Sequence, residues 1–141
     1  MMGSGAGIVT LANFPVGVLP GTATVANGRV LKGAHRFAGM IGFLEYGMPR
    51  EAYRERMRRP TARPLIAQGL CAMICAVDPD LIVMTGELVD GRELDEIAAL
   101  CAARIPAAYL PRFAYRESLD DVYLAGMLGR ALDARLEGGE A

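Results

Sequence analysis

The apolar and polar positions of this chain fall into short β-type runs first and helical periodicities afterwards. From Gly7 to Ala12 the run GIVTLA is short, apolar and β-branched, the pattern of a buried strand. Gly21 to Ala26 mixes Thr22 and Thr24 with Ala and Val, which suits a second pleated segment. Asn27-Gly28 follows at once, and both residues tolerate the positive φ of a type I′ hairpin turn. Arg29 to Lys32 is therefore expected to return antiparallel as a third strand, closing a meander.

Helical spacing dominates the rest. Pro49 to Arg59 is helix-prone and charged, with Glu51 and Glu55 among Arg50, Arg54, Arg56, Arg58 and Arg59. Such a segment reads either as a phosphate or nucleic-acid patch or as a solvated helix face, and alternating signs favour the solvated face. Pro60 and Pro64 punctuate it. Leu65 to Val77 is apolar on nearly every side, as a helix buried against a sheet should be. Asp78-Pro79 ends that helix, and Leu81 to Thr85 (LIVMT) follows as a buried strand closed by Gly86. Asp90 with Glu93 resembles a capping box, with Leu94, Ile97, Cys101 and Ile105 at helical spacing behind it. Ala107 to Ala114 is a weaker strand. Ser118 and Asp121 then announce a closing helix with Leu124, Met127, Leu128 and Ala131 on one face. Strands alternating with amphipathic helices imply right-handed crossovers, so the expected fold is α/β, a mixed sheet in βββαβαβα order with the meander at one side.

Composition narrows the classes. With 141 residues, 52% of them hydrophobic and a net charge of −1, the chain has the makeup of one ordinary globular domain and no electrostatic footprint for nucleic acid. We expect a single unit over 1–141, with 136–141 a frayed tail. Cys71, Cys75 and Cys101 lie in apolar helical runs without CxxC spacing, so they read as small buried hydrophobes in a reducing compartment. The N-terminus has no basic region before its short apolar stretch, and a clear membrane span is missing, so a cytoplasmic location is expected. The Gly3 to Gly7 run lacks the preceding strand that a dinucleotide-binding fold requires.

Two motifs resemble those of one family. NGRVLKGAHRFAGMIGF, from Asn27 to Phe43, resembles the stretch of the ROK family (repressors, open reading frames and kinases) that reads NG, a few apolar residues, GA, then AGE[IL]GH. DPDLIVMTG, from Asp78 to Gly86, resembles that family's DPxxIVxGG strand, and LAGMLGRA, from Leu124 to Ala131, looks like its closing segment. The resemblance implies one lobe of an actin- and hexokinase-type, ribonuclease-H-like fold, the C-terminal lobe of a protein that grips nucleotide and sugar between two lobes.

The chemistry implied by the resemblance is only partly present. Phosphorylating a sugar needs a carboxylate base and positioned donors with magnesium on the phosphates. In the family the base is an Asp of the N-terminal lobe, which has no counterpart in this sequence. The family's phosphate loop, GTGIGxG, corresponds here to GVLPGTA, from Gly17 to Ala23. Val18 removes a hydroxyl and Pro20 an N–H donor, leaving Gly17, Gly21 and Thr22 as remnants, with Gly86 and Glu87 beyond the parallel strand on the same nucleotide side. The Glu and His of AGE[IL]GH correspond to Met40 and Phe43, flanked by Gly39 and Gly42. An apolar pair cannot accept or donate to sugar hydroxyls. The family's cysteine-rich zinc loop is missing between Leu44 and Met57, so no metal is expected, and no cofactor either. His35 occupies a position that the family often fills with His; it reads as a structural histidine ahead of a catalytic one.

These observations point to a non-catalytic ROK-like lobe, an interaction module or sensor for sugar or nucleotide that self-associates through the apolar face an isolated lobe would expose. The alternative is a C-terminal fragment of a ROK sugar kinase or sugar-responsive repressor whose missing lobe supplies the base or the DNA reader. A third reading is an unrelated small enzyme that uses His35 with Glu45 or Glu87.

Overall fold

The computed structural model describes residues 7–117, and the expected closing helix from Ser118 onward lies outside them. Strand β1 (Ile8–Asn13) sits at the centre, with β2 (Gly21–Ala26) and β3 (Arg29–Val30) antiparallel on one side. On the other side β4 (Leu81–Thr85) and β5 (Arg112–Tyr115) run parallel to it, giving the order β3-β2-β1-β4-β5. This is the expected mixed sheet with a meander at one edge. Between β3 and β4 the chain forms a 3₁₀ turn (Ile41–Phe43), helix α1 (Arg50–Arg56) and helix α2 (Ala62–Val77). Helix α3 (Gly91–Ala102) links β4 to β5.

Local chemistry accounts for most of these boundaries. Asn27 and Gly28 adopt φ of 53° and 82°, as a I′ turn requires, and Ala26 pairs with Arg29 across it. Asp78 ends α2 in the left-handed region at φ 50°. The Asp90 carboxylate accepts the N–H groups of Arg92 and Glu93 at 2.9 and 3.0 Å, capping α3. Only half of the expected capping box forms. Glu93 turns away from the cap to Arg59 and Arg63, whose Nε atoms stand 3.3 and 3.4 Å from its two oxygens. That ion cluster ties the start of α2 to the first turn of α3.

Three element limits differ from the sequence reading. The third strand is two residues long instead of four. The charged helix stops at Arg56, and α2 begins at Ala62 with Pro64 inside its first turn, where the missing N–H costs no hydrogen bond. Ala107 to Ala114 is not one strand: a 3₁₀ turn (Ala107–Tyr109) precedes β5, and Pro111, which has no N–H to give to a ladder, separates the two.

The core lies between the sheet and the pair α2 and α3. Ala12, Ile82 and Met84 point to Ile66, Leu70, Ile74, Ile97 and Cys101, all buried. The alternate residues Val9, Leu11, Leu81 and Val83 form a second buried cluster, as a period of two demands of a strand buried on both faces. Thr10 and Thr24, opposite one another on β1 and β2, satisfy their buried hydroxyls mutually at 2.9 Å. Cys71 and Cys101 are buried as expected, whereas Cys75 is exposed on the outer side of α2.

Candidate functional site

Three segments meet at the carboxyl ends of β1 and β4, the end where open α/β sheets place ligands. They are the loop 14–20 after β1, the segment 39–45 around the 3₁₀ turn, and the turn 86–90 after β4. The loop is pinned from both sides. The Phe14 N–H donates to the Thr85 carbonyl at 2.9 Å, and the Leu88 N–H returns to the Phe14 carbonyl at 3.1 Å. Gly86, at φ 111°, passes so close to Phe14 that a Cβ there would stand 2.5 Å from its carbonyl oxygen. On the opposite flank a Cβ on Gly42 would meet Leu19 Cβ at 2.7 Å.

On the nucleotide side, Gly17 takes φ 72° at the tip of the loop, and Gly21 opens β2 with free space around it. Glu87 sends its carboxylate to the loop, accepting the Val16 N–H at 3.0 Å. Thr22 faces inward. Its hydroxyl, only 6% of the residue being exposed, donates to the Gly39 carbonyl at 2.9 Å, and its N–H donates to the same oxygen at 3.0 Å. This threonine therefore fastens the 39–45 segment to β2 and presents no hydroxyl to a ligand.

On the sugar side, Gly39 adopts φ 87° against Thr22, where a side chain would collide with the threonine hydroxyl. Met40 is half-buried at the start of the 3₁₀ turn. Phe43 is 44% exposed, lies 5.3 Å from the Phe37 ring, and carries the Arg50 guanidinium 4.6 Å above its face. His35 is exposed on the preceding turn, and its side chain makes no hydrogen bond among the described residues. The fold thus brings Gly39, Met40, Gly42 and Phe43 together with the 14–20 loop and leaves His35 outside the group.

Beneath Phe43 the Tyr46 and Tyr53 rings stack at 4.3 Å, and the Tyr46 hydroxyl donates to the Ile41 carbonyl at 2.8 Å. Burial raises both phenols above their ordinary pKa, and at Tyr53 the neighbouring Tyr46 adds to it. Both remain neutral hydrogen-bonding groups at physiological pH. The sequence reading missed this pair because Tyr46 precedes α1, so the turn at Gly47, with φ 81°, and not the periodicity of one helix makes the two rings face each other. Among the described residues, no group of three or more His, Cys, Asp or Glu side chains is placed to hold a metal ion.

The 39–45 and 14–20 segments also carry apolar side chains into solvent. Val18 is 55% exposed, and Val16, Phe37, Phe43 and Leu44 are exposed as well. Among the described residues, no helix is long and apolar enough to cross a membrane.

A scan against protein-family models and a search of curated proteins each find no match. Solved structures do resemble the chain. It superposes on a ROK hexokinase from Thermus thermophilus with a TM-score of 0.66 and 20% identity, over 97% of this chain and 60% of that one. A ROK family protein from Streptococcus pneumoniae, in complex with sucrose, gives 0.64 and 14% over 93% and 60%. A ROK family glucokinase from Streptomyces griseus, in complex with glucose and AMPPNP, gives 0.55 and 14% over 95% and 62%. The fold is that of the sugar-kinase lobe, as the two motifs suggested. The chain spans about 60% of the length of these solved proteins.

Proposed function

We propose that this chain is a kinase-like carboxyl-terminal lobe of a ROK-type sugar-handling protein, and that phosphoryl transfer would require a complementary lobe carrying the carboxylate base. The observation that carries this reading is the match of 97% of the chain to a hexokinase of which it covers 60%. The scaffold at the carboxyl ends of β1 and β4 supports it too, since the loop, the 3₁₀ turn and the Gly86 turn are held in one place by close glycine contacts. A lobe alone supplies walls for a cleft. It supplies no base against a hexose hydroxyl, and geometry without that proton acceptor leaves the hydroxyl a poor nucleophile.

The test is to isolate the native species from its host with an antibody to this chain. The expected result is a polypeptide or complex that includes an amino-terminal lobe with an acidic residue at the base position and that phosphorylates a hexose from ATP. A solitary 15.0 kDa species that binds neither ATP nor hexose would overturn it.

A second reading, a lobe without catalysis that senses or associates, is favoured by one observation. Met40 and Phe43 stand where the resemblance places a glutamate and a histidine, and the Phe43 ring packs against Phe37 with the Arg50 guanidinium over its face. Under this reading the exposed Val18, Phe37 and Phe43 are contact residues for a second copy or another protein. Light scattering across a concentration series distinguishes it: a strict monomer counts against self-association.

A further inference from the structure

Two aromatic rings, Phe37 and Phe43, stand in solvent beside Leu44 although the segment that carries them is firmly held. A mobile loop would fold such rings inward and cover them. This one is fixed at several points. Thr22 holds the Gly39 carbonyl through both its hydroxyl and its N–H, and the Tyr46 hydroxyl holds the Ile41 carbonyl. A side chain on Gly39 would strike Thr22, and one on Gly42 would strike Leu19, so the segment lies tightly on its neighbours. Just before Phe37, Arg36 takes φ 54°, in the left-handed region that favours glycine. The backbone therefore accepts an unfavourable conformation and still presents both rings outward, an arrangement typical of binding surfaces.

The charges around the rings have one prevailing sign. Residues 31–50 carry Lys32, Arg36 and Arg50 against one carboxylate, Glu45, a net charge of +2 in a chain whose net charge is −1. Glu45 is turned onto the Gly47 N–H at 2.8 Å, and the glutamates of α1, Glu51 and Glu55, front Gly17 instead. The position of Arg50 decides which kind of partner fits. Its guanidinium lies 4.6 Å above the Phe43 ring, and Phe37 packs at the ring's flank with centroids 5.3 Å apart. A nucleobase would find that face of the ring already covered. Lipid insertion would drag the ion into hydrocarbon with the ring. A carboxylate meets a planar, weakly hydrated fork suited to paired hydrogen bonds, and apolar side chains beside it can pack on the exposed rings. Aromatic residues and arginine are also the types enriched where proteins bind one another.

We propose that the patch of Arg36, Phe37, Phe43, Leu44 and Arg50 docks an acidic segment of another protein, one in which carboxylates flank apolar side chains. Arg50 and Arg36 pair with the carboxylates, Lys32 adds attraction at the edge, and Phe37, Phe43 and Leu44 receive the apolar side chains. Because the segment is fixed before the partner arrives, little ordering is left for binding to supply. The inference rests on the reading of this lobe as one that associates, and it names the chemistry of the partner. It stands apart from the kinase-lobe reading, which needs no acidic peptide.

Fluorescence anisotropy with the full chain tests it, using a labelled synthetic peptide in which Asp and Glu flank a pair of leucines. The comparison probes are the same peptide with Lys at every acidic position, single-stranded oligothymidylate, and vesicles of phosphatidylserine and phosphatidylcholine. The acidic peptide is expected to bind saturably and more weakly as salt rises, and the Lys peptide not to bind. Arg50→Gln should weaken the acidic peptide by about tenfold, the usual effect of losing a charged hydrogen bond. Phe37→Ser and Phe43→Ser should each weaken it by about fivefold or more. Tyr109→Ser, at an exposed ring after α3, should change nothing. No saturable binding of the acidic peptide, or equal binding by Arg50→Gln with unchanged circular dichroism, would overturn the proposal. So would tighter binding of oligothymidylate or vesicles than of the peptide. Self-association seen by light scattering and lost in Phe37→Ser and Phe43→Ser, with no peptide bound, would assign the patch to a second copy and overturn the acidic partner while leaving the associating reading intact.

Discussion

The Glu87 carboxylate accepts the Val16 N–H at 3.0 Å, placing an internal anion against the loop that the ROK resemblance aligns beside its phosphate-binding positions. The bond bridges 71 residues of sequence and joins the turn after β4 to the loop after β1. Because it lies at the surface, its worth is modest. Glu87→Ala is expected to lower stability by under about 1 kcal/mol while raising the hydrogen-exchange rate of the Val16 amide. Unchanged exchange at Val16 would show that the carboxylate does not hold the loop in solution.

Gly86 and Gly91 should respond oppositely to alanine. At Gly86 a Cβ would meet Phe14 backbone atoms at 2.5 to 2.7 Å and the backbone sits at φ 111°, so clash and strain combine. We expect Gly86→Ala to cost about 3 kcal/mol. At Gly91, in the first turn of α3, nothing lies within 4 Å of an added Cβ. Alanine there should be neutral or stabilise by about 0.5 kcal/mol through helix propensity. Urea unfolding midpoints of the two variants provide the comparison.

Asp90 gives the chain a pH signature. Hydrogen bonding from the Glu93 N–H, then from the Arg92 N–H, with the charges of Arg59 and Arg92 nearby, lowers its pKa from the ordinary 3.8. A carboxyl with a depressed folded pKa contributes stability above its unfolded pKa and loses that contribution as pH falls through the folded value. Asp90→Asn keeps a capping oxygen and removes the charge. The wild type should therefore melt higher than this variant at pH 6, and the gap should close as pH drops below 3.8. A gap that persists under strongly acid conditions would contradict the assignment.

Thiol reactivity should separate the three cysteines. Cys75 is exposed, while Cys71 and Cys101 are buried, and burial with the adjacent Cys71 pushes the Cys101 thiol up to about 12. Alkylation at pH 8 followed by mass spectrometry should label Cys75 rapidly, with the other two reacting only on unfolding. Rapid modification of Cys101 in the folded chain would mean that the α2–α3 core opens easily.

Features fixed by neighbouring residues were legible in the sequence. Asn27-Gly28 specified its own hairpin, Asp90 its own cap, and the unbroken LIVMT run its burial on both faces of the sheet. Features that depend on distant partners were not. Glu93 looked like half of a capping box because its partners Arg59 and Arg63 lie about thirty residues upstream and come near only when α2 packs on α3. Thr22 looked like a remnant facing a ligand. Its inward turn depends on Gly39 arriving beside β2, which no local pattern encodes.

We propose that this lobe forms one wall of a cleft and depends on a complementary lobe for the base needed in transfer. A radiometric assay of hexose phosphorylation from ATP, using the purified chain alone with magnesium, tests it most directly. No sugar phosphate above the uncatalysed background is expected. Sustained turnover by the chain alone would contradict it.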